Sequence, residues 1–221
     1  MALIENSKGR ESGGGYERLF GNQLLGHLLS RVQASVISSG NELEHVIIAH
    51  SKSIADVDSF LAQQELPPGT YLITKKAIKK SALKSDQEPD LLVFEIEPPH
   101  RHCYIIELKD GDNFDTKKAA GEVALLQKFE NHISKKLQFT TSIHVCSFNQ
   151  NDKDKIVAGF KKKISIDMAM TGKELCDLLH IDYTEILGLR IGEQGKNFDY
   201  FISQLLEIPE AKEAILTKLI E

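Results

Sequence analysis

The chain has 221 residues, of which 41% are hydrophobic and 27% charged, and its formal net charge at neutral pH is −5. These values are ordinary for a globular protein, and every apolar run is shorter than the roughly 20 residues that a membrane-spanning helix needs. The negative net charge argues against a protein that coats nucleic acid through bulk positive charge, although it permits a local basic groove.

The length of the chain and its cysteine content indicate the number of domains and the state of the thiols. A single domain over residues 1–221 is the natural expectation for this size, with residues 1–15 as a flexible lead-in because the stretch ESGGG is too rich in glycine to order itself. The first residues lack the basic-then-apolar pattern of a secretory signal, and the three cysteines have no metal-ligand spacing. We therefore expect reduced thiols, no membrane association and a cytoplasmic location.

Helices are predicted in the first third of the chain. Apolar residues recur every four positions from Phe20 through Leu24, Leu28 and Val32 to Val36, which predicts a helix from Tyr16 to about Ile37 with this stripe packed inward. The sequence SSGN at 38–41 predicts a break, after which Asn41 caps a second helix through ELEHVIIAH. A third helical stretch, IADVDSFLAQQEL, is expected to end at a Pro-Pro-Gly turn.

Strands follow that turn. The segment TYLITKKAI is β-branched enough to predict a strand with exposed lysines. The runs DLLVFEIE (90–97) and CYIIELK (103–109), separated by PPHRH, predict a β-hairpin whose turn lies near Pro99 or His100.

The remaining elements complete a layered α/β or α+β chain. A helix capped by Asp115 or Thr116 is predicted to pack inward through residues spaced three and four apart: Val123, Leu126, Phe129, Ile133 and Leu137. The segment QFTTSIHVCSF is expected to be a central strand. A capping box at 171–174 predicts a short helix, and residues 198–221 are expected to be helical on both sides of Pro209.

Three charged residues are predicted to meet at the open end of the hairpin. Alternation along a strand places Glu107 and Lys109 on one face, and antiparallel pairing brings Asp90 close to them. Two neighbouring carboxylates repel unless a cation neutralises them, and the carboxylates of Asp90 and Glu107 with the backbone carbonyl of Leu108 suit Mg²⁺. Lys109 could then orient or deprotonate a water and offset phosphate charge. The alternative is an exposed ion pair of little consequence.

These residues carry a resemblance to a known family. Pro89-Asp90, sixteen intervening residues and Glu107-Leu108-Lys109 resemble the PD-(D/E)xK nuclease superfamily, and ELKDGDNFDTKKAAGE is similar to the corresponding stretch of type II restriction endonucleases. The resemblance covers residues 89–122. It implies Asp90 and Glu107 as metal ligands, Lys109 as the catalytic lysine, and an α/β core with a mixed central β-sheet flanked by helices.

The resemblance also implies a function. It predicts a single nuclease domain that acts as a type II site-specific deoxyribonuclease, hydrolysing phosphodiester bonds of double-stranded DNA with Mg²⁺ in restriction-modification defence. A homodimer is expected because palindromic sites call for two-fold symmetric proteins, and a cognate DNA methyltransferase belongs to such a system. The alternatives are a structure-specific repair or recombination nuclease of the same superfamily and a non-catalytic DNA-binding module.

Further residues are weaker candidates. In related nucleases a glutamate of an N-terminal helix can reach the metal, and Glu44 or Glu42 is placed to do so, although a solvent-facing acid is the simpler interpretation. Glu122, on the helix after the motif, has either a supporting role at the site or a surface role. Two pairs of lysines are candidate contacts to DNA: Lys117 with Lys118, and Lys75 with Lys76. A solvated surface is the alternative for each pair.

Overall fold

A mixed sheet of five strands organises the chain. The computed structural model describes residues 3–10, 14–111 and 116–220, with the side chains of 116–118 outside that description. The strands lie in the order β1-β2-β3-β4-β5, with bounds Gly69–Thr74, Leu91–Glu97, His100–Lys109, Thr140–Ser147 and Ala169–Thr171. The pairs β1/β2 and β2/β3 are antiparallel, whereas β3/β4 and β4/β5 are parallel. The expected mixed α/β architecture is therefore confirmed.

The contacts divide the chain into two compact units, one built from residues 1–45 and 184–221 and one from residues 46–183. The second unit contains the sheet and the helices α3 to α7, with bounds Val57–Leu61, Lys75–Ile78, Thr116–Ile133, Lys153–Gly159 and Gly172–Leu179. The remaining helices are α1, α2, α8 and α9, with bounds Gly14–Phe20, Gln23–His50, Tyr183–Leu206 and Pro209–Ile220. None of the described helices is both apolar and long enough to cross a lipid bilayer.

The core of the second unit lies between α5 and one face of the sheet. The predicted inward stripe of α5 is confirmed, because Val123, Leu126, Phe129 and Ile133 are buried in the same cluster as Cys103 and Ile105 of β3. Burial of one such large apolar side chain contributes about 1.5–3 kcal/mol, so this packing holds α5 firmly against the end of β3. Of the two residues proposed to cap α5, Asp115 lies outside the described residues and Thr116 is the first residue of the helix.

The β2–β3 hairpin has a tighter turn than the sequence predicts. Glu97 pairs with His100, so β3 begins three residues earlier than expected and only Pro98 and Pro99 form the turn. The predicted strand over 70–78 is wrong after Thr74. The hydroxyl of Thr74 accepts a hydrogen bond from the Ala77 N–H at 3.2 Å, which starts α4 and ends β1.

The predicted break at 38–41 is also wrong, because α2 runs without interruption from Gln23 to His50. A glycine inside a helix costs about 1 kcal/mol relative to alanine, and the complete burial of Leu43 and Ile47 on the continuing helix outweighs that cost. The break comes earlier, at Gly21, which has a φ of +64°. Asn22 follows it and caps α2 by accepting the Leu25 N–H at 2.8 Å.

Two further expectations for the N-terminal region differ from the structure. Of the predicted inward stripe, Leu28 is buried, whereas Phe20, Leu24 and Val36 are exposed. The expected flexible lead-in over residues 1–15 is ordered in its described part. Ile4 is buried, its N–H donates to Asn197 Oδ1 at 2.7 Å, and Arg31 donates to its carbonyl at 2.9 Å. Gly14 and Gly15 begin α1. Residues 11–13 lie outside the description.

The expected C-terminal features are confirmed in part. Thr171 and Glu174 form the predicted capping box at the start of α7, and Pro209 occupies the first position of α9. The segment predicted as a central strand is β4, which lies between β3 and β5. The third predicted helix is shorter than expected, since α3 begins after the Asp56 cap and ends at Leu61.

Candidate active site

Asp90 immediately precedes β2 and lies beside the end of β3. The register pairs Leu91 with Ile106, so the residue before Leu91 falls next to Glu107. The Leu108 N–H donates to Asp90 Oδ2 at 3.0 Å, which fixes the carboxylate against the neighbouring strand. The hairpin therefore brings Asp90 to the motif of β3, as the sequence predicts.

Lys109 lies between two carboxylates. Its Nζ donates to Glu107 Oε1 at 2.7 Å and to Glu122 Oε1 at 3.0 Å. The side chains of Lys109, Glu107 and Glu122 are only 20%, 15% and 27% exposed. Glu107 and Lys109 continue the face of β3 that packs on α5, and α5 carries Glu122, so the packing of helix on sheet creates this contact.

Lys75 completes the group of charged residues. Its Nζ lies 3.2 Å from Asp90 Oδ1. The sequence predicts Lys75 on the exposed side of a strand, and its contact with Asp90 is not predicted. The contact arises because Thr74 pairs with Leu91 across β1 and β2, so the residue after β1 comes beside the residue before β2.

The acid–base properties of the site follow from its burial. Burial and, next, the nearby charge of Asp90 raise the pKa of Glu107, and the Lys109 ammonium partly opposes both effects. The resulting pKa is about 7. Burial by itself would lower the pKa of Lys109, but Glu107 and Glu122 outweigh it and the net shift is upward. Lys109 is therefore an ammonium ion near neutral pH, whereas burial and the charge of Asp90 disfavour the ionised form of Glu107.

The donor atoms fit a hard divalent cation that retains water ligands. Two carboxylates lie close enough for Asp90 to raise the pKa of Glu107, and a cation would relieve that repulsion. Glu122 Oε2 is also buried without a hydrogen-bond partner in the described chain. Across the residues 3–10, 14–111 and 116–220, no three histidine, cysteine or acidic side chains are grouped as a metal site.

An open cavity of about 370 Å³ gives access to these residues. Lys75, Lys79, Glu107 and Glu122 line it, together with the loop before β2. A second cavity of about 520 Å³ lies next to it and shares part of its wall. The acidic residues are therefore accessible to a ligand larger than a water molecule.

The structure brings Asp90, Glu107, Leu108 and Lys109 together at one end of the hairpin, and it adds Lys75 to them. The other candidates are placed differently. Lys76 is exposed on α4, and Glu44 lies on α2 in the first unit. The side chains of Lys117 and Lys118 lie outside the description. The functional roles of all these residues stay predictions.

Comparison with known proteins gives the family. The chain is 46% identical, over 224 aligned positions, to the type II restriction enzyme HhaII of Haemophilus parahaemolyticus, and the alignment covers 97% of this chain and 98% of that enzyme. The chain belongs to the type II restriction endonuclease family. No family model and no solved structure matches it.

This restriction endonuclease is therefore a DNA-cleaving hydrolase, as the motif predicts. Its membership of the family supports site-specific cleavage in restriction-modification over the two alternatives, a structure-specific repair nuclease and a non-catalytic binding module. Type II restriction enzymes generally need a divalent metal ion, which agrees with the donor atoms at the end of the hairpin.

Proposed function

We propose that this restriction endonuclease hydrolyses phosphodiester bonds of double-stranded DNA with Mg²⁺, using Asp90 and Glu107 as metal ligands and Lys109 as the catalytic lysine. The observation that carries the proposal is the convergence of these three side chains at the end of one hairpin. The carbonyl of Leu108 is proposed as a further ligand, and Glu44 as a weaker candidate. Mg²⁺ would supply a Lewis acid and lower the pKa of a bound water.

The residues of the chain have distinct parts in this proposal. Asp90 is held by the Leu108 N–H and Glu107 by Lys109, so both carboxylates are oriented before any ligand arrives. The raised pKa of Lys109 favours a role in orienting the attacking water and offsetting phosphate charge over a role as proton acceptor. Lys75, beside Asp90, is placed to contact a phosphate next to the cut, as are Lys76, Lys117 and Lys118 by their sequence positions.

The order of the strands supports a finer assignment of the fold. Two antiparallel strands carry the motif, and β3 continues into a parallel pair covered by α5. We assign this arrangement to the PD-(D/E)xK core, and both units to one nuclease domain. A cognate DNA methyltransferase and a cytoplasmic location follow from restriction-modification, because the host must protect its own sites from the enzyme.

Cleavage assays on three variants test the site. Asp90→Asn, Glu107→Gln and Lys109→Gln should each abolish the discrete fragments that the wild type produces from a mapped DNA with Mg²⁺. Glu130→Gln is a matched control, since Glu130 is a half-buried acid on the same helix as Glu122 and accepts a hydrogen bond from Thr141 at 3.0 Å. Wild-type cleavage by any of the three site variants would refute the assignment.

We also propose that the enzyme acts as a homodimer. Each chain carries one such site, and a duplex has two strands to cut. One face of α8 exposes apolar side chains at helical spacing, namely Ile191, Phe198, Ile202 and Leu206. Asp199 borders this face and disfavours DNA as its partner, so a second copy of the chain suits it better.

Sedimentation of the intact enzyme tests the dimer. The wild type should sediment as a dimer, and Phe198→Glu with Ile202→Glu should convert it to a folded monomer that no longer cuts both strands in one encounter. Glu185→Lys, which changes charge on the same helix without touching the apolar stripe, serves as the control. A wild-type monomer at concentrations where both strands are cut would refute the proposal.

A further inference from the structure

The loop between α4 and β2 packs along the second half of α5. His132 Nε2 lies 2.9 Å from the Lys84 carbonyl oxygen, and Lys128 Nζ lies 3.0 Å from Asp86 Oδ2. These contacts bring basic residues that are about 45 positions apart in sequence onto one surface. They also form the walls of the larger cavity beside the candidate active site.

The two cavities lie side by side, and we call them together the trough. They share four lining residues, which are Asp86, Gln87, Leu125 and Phe129. Glu107 and Glu122 line one end, where the phosphodiester bond is proposed to be cut. The other end is lined by Lys84, Lys128 and His132, and we call these three residues the basic end of the trough.

The charge of the basic end contrasts with that of the chain. Asp86 is the single acidic residue in its described lining, whereas the chain as a whole carries a formal charge of −5. Lys128 is 71% exposed although it pairs with Asp86, so its ammonium can reach a ligand without leaving a buried partner. Asp86 has a lowered pKa because Lys128 donates a hydrogen bond to it, and it holds the lysine at the edge of the trough.

We propose that the basic end of the trough binds the phosphate backbone of the DNA strand being cut, on one side of the scissile phosphate, through Lys84 and Lys128. This inference rests on the proposed function, because the active site sets where the strand must pass. DNA carries one negative charge per phosphate, so a strand that enters at Glu107 and runs along the trough places further phosphates there. A positively charged wall there offsets that charge and fixes the position of the strand without reading its sequence.

The salt dependence of DNA binding tests the proposal. Each phosphate contact contributes a slope of about −0.9 in the logarithm of the binding constant against the logarithm of salt concentration. The double variant Lys84→Gln, Lys128→Gln should therefore show a slope shallower by roughly 1.8, so that wild-type binding weakens about 10-fold more than that of the variant over a fourfold rise in salt. The loss of affinity of the double variant relative to the wild type should be the same on DNA of any sequence.

A closely matched control is available. Lys173 is 65% exposed and pairs with Asp177 at 2.6 Å, as Lys128 pairs with Asp86, but it lies on α7 and does not line the trough. Lys173→Gln should keep the wild-type slope. Binding is measured with the full-length enzyme in metal-free buffer, and far-UV circular dichroism confirms that each variant is folded.

The outcomes separate the two proposals. If the double variant has the same salt slope and affinity as Lys173→Gln, Lys84 and Lys128 do not bind the DNA backbone, and the proposal is refuted whatever the cleavage activity of the variant. Cleavage by Glu107→Gln would refute the proposed active site. The salt slope measured without metal would still test phosphate binding at the basic end of the trough, because it does not depend on cleavage. A shallower salt slope in the double variant, together with an unchanged slope in Lys173→Gln, supports phosphate binding by Lys84 and Lys128.

Discussion

Replacement of Glu107 by glutamine should inactivate the enzyme and at the same time stabilise it at alkaline pH. Burial and the neighbouring Asp90 raise the pKa of Glu107 to about 7, so folding makes this carboxylate harder to ionise. Glutamine has nearly the same shape but no charge. The substitution therefore removes the cost of a buried charge while it keeps an oxygen that can accept a hydrogen bond from Lys109.

The expected gain in the free energy of unfolding follows from the difference between the ordinary pKa of a glutamate and the pKa of Glu107 in the folded protein. The ordinary pKa of a glutamate is 4.5 and that of folded Glu107 is about 7, and each pKa unit corresponds to about 1.4 kcal/mol. The folded state binds the proton more tightly, so stability from this group is complete below pH 4.5, falls as the pH rises towards 7, and is lost above it. At about pH 8 the full difference is roughly 3 kcal/mol. The attraction of Lys109 is already part of this pKa, so we expect Glu107→Gln to raise the free energy of unfolding by roughly 1–3 kcal/mol at that pH.

Urea unfolding of the two proteins at two pH values, without metal, measures this effect. The gain from Glu107→Gln should be smaller at about pH 5 than at about pH 8, by roughly 2 kcal/mol. Glu130→Gln, on the same helix as Glu122, provides the pH-matched control. Equal stability of wild type and Glu107→Gln at both pH values would refute the argument that burial and Asp90 destabilise the ionised carboxylate.

Metal binding adds a second readout to the same pair of proteins. A ligand that binds only the folded state raises its stability, by about 2.7 kcal/mol at a concentration 100 times its Kd. Mg²⁺ should therefore stabilise the wild type at alkaline pH and have little effect on Glu107→Gln. Equal stabilisation of both proteins would place the metal away from Glu107.

The remaining predictions concern neighbouring residues and the fold. Lys109→Gln should reduce kcat by roughly 10²–10³-fold, enough to remove the discrete fragments within the time of a wild-type digest, while Mg²⁺ still stabilises the protein in thermal unfolding. Loss of that stabilisation would show that Lys109 acts through the metal ligands instead. Glu122→Gln should lower kcat roughly 10-fold with little change in KM, because Lys109 loses one of its two anchors, whereas a change in KM alone would argue for a role in binding. Gly172→Ala should destabilise the protein by roughly 1–3 kcal/mol in urea unfolding, since a Cβ there would lie 2.2 Å from a backbone carbonyl oxygen. Gly121→Ala, at a helical position with open space, should instead leave stability unchanged or raise it.

The hairpin and its three charged residues could be predicted because the information is local in sequence. The two strands are neighbours, the Pro-Pro turn sets their register within a residue or two, and alternation then fixes which side chains share a face. The capping box at Thr171 and the inward stripe of α5 were predictable for the same reason. In each case residues within a few positions of one another determine the conformation.

The errors arose where distant parts of the chain decide the outcome. Lys75 joins the site only because β1 pairs with β2, and no sequence pattern within residues 70–78 reports that pairing. Helix α2 continues through Gly40 because Leu43 and Ile47 beyond it are buried, which local propensity does not reveal. Strand β5 has three residues and owes its place to β4, so it leaves no recognisable pattern of its own.

The charges at the site explain why its residues lie so close together. Lys75 pairs with Asp90, and Lys109 bridges Glu107 and Glu122, so every described carboxylate of the group has a cation within 3.2 Å. Glu107 nevertheless has a raised pKa, which means that the two lysines do not fully compensate for the burial of three acids. A divalent cation held by Asp90 and Glu107, as proposed, would supply the missing positive charge. Lys84 and Lys128 line the second cavity and not the one that Glu107 and Glu122 line, so the phosphate contacts proposed for these two lysines would leave the ion pairs of Lys75 and Lys109 in place.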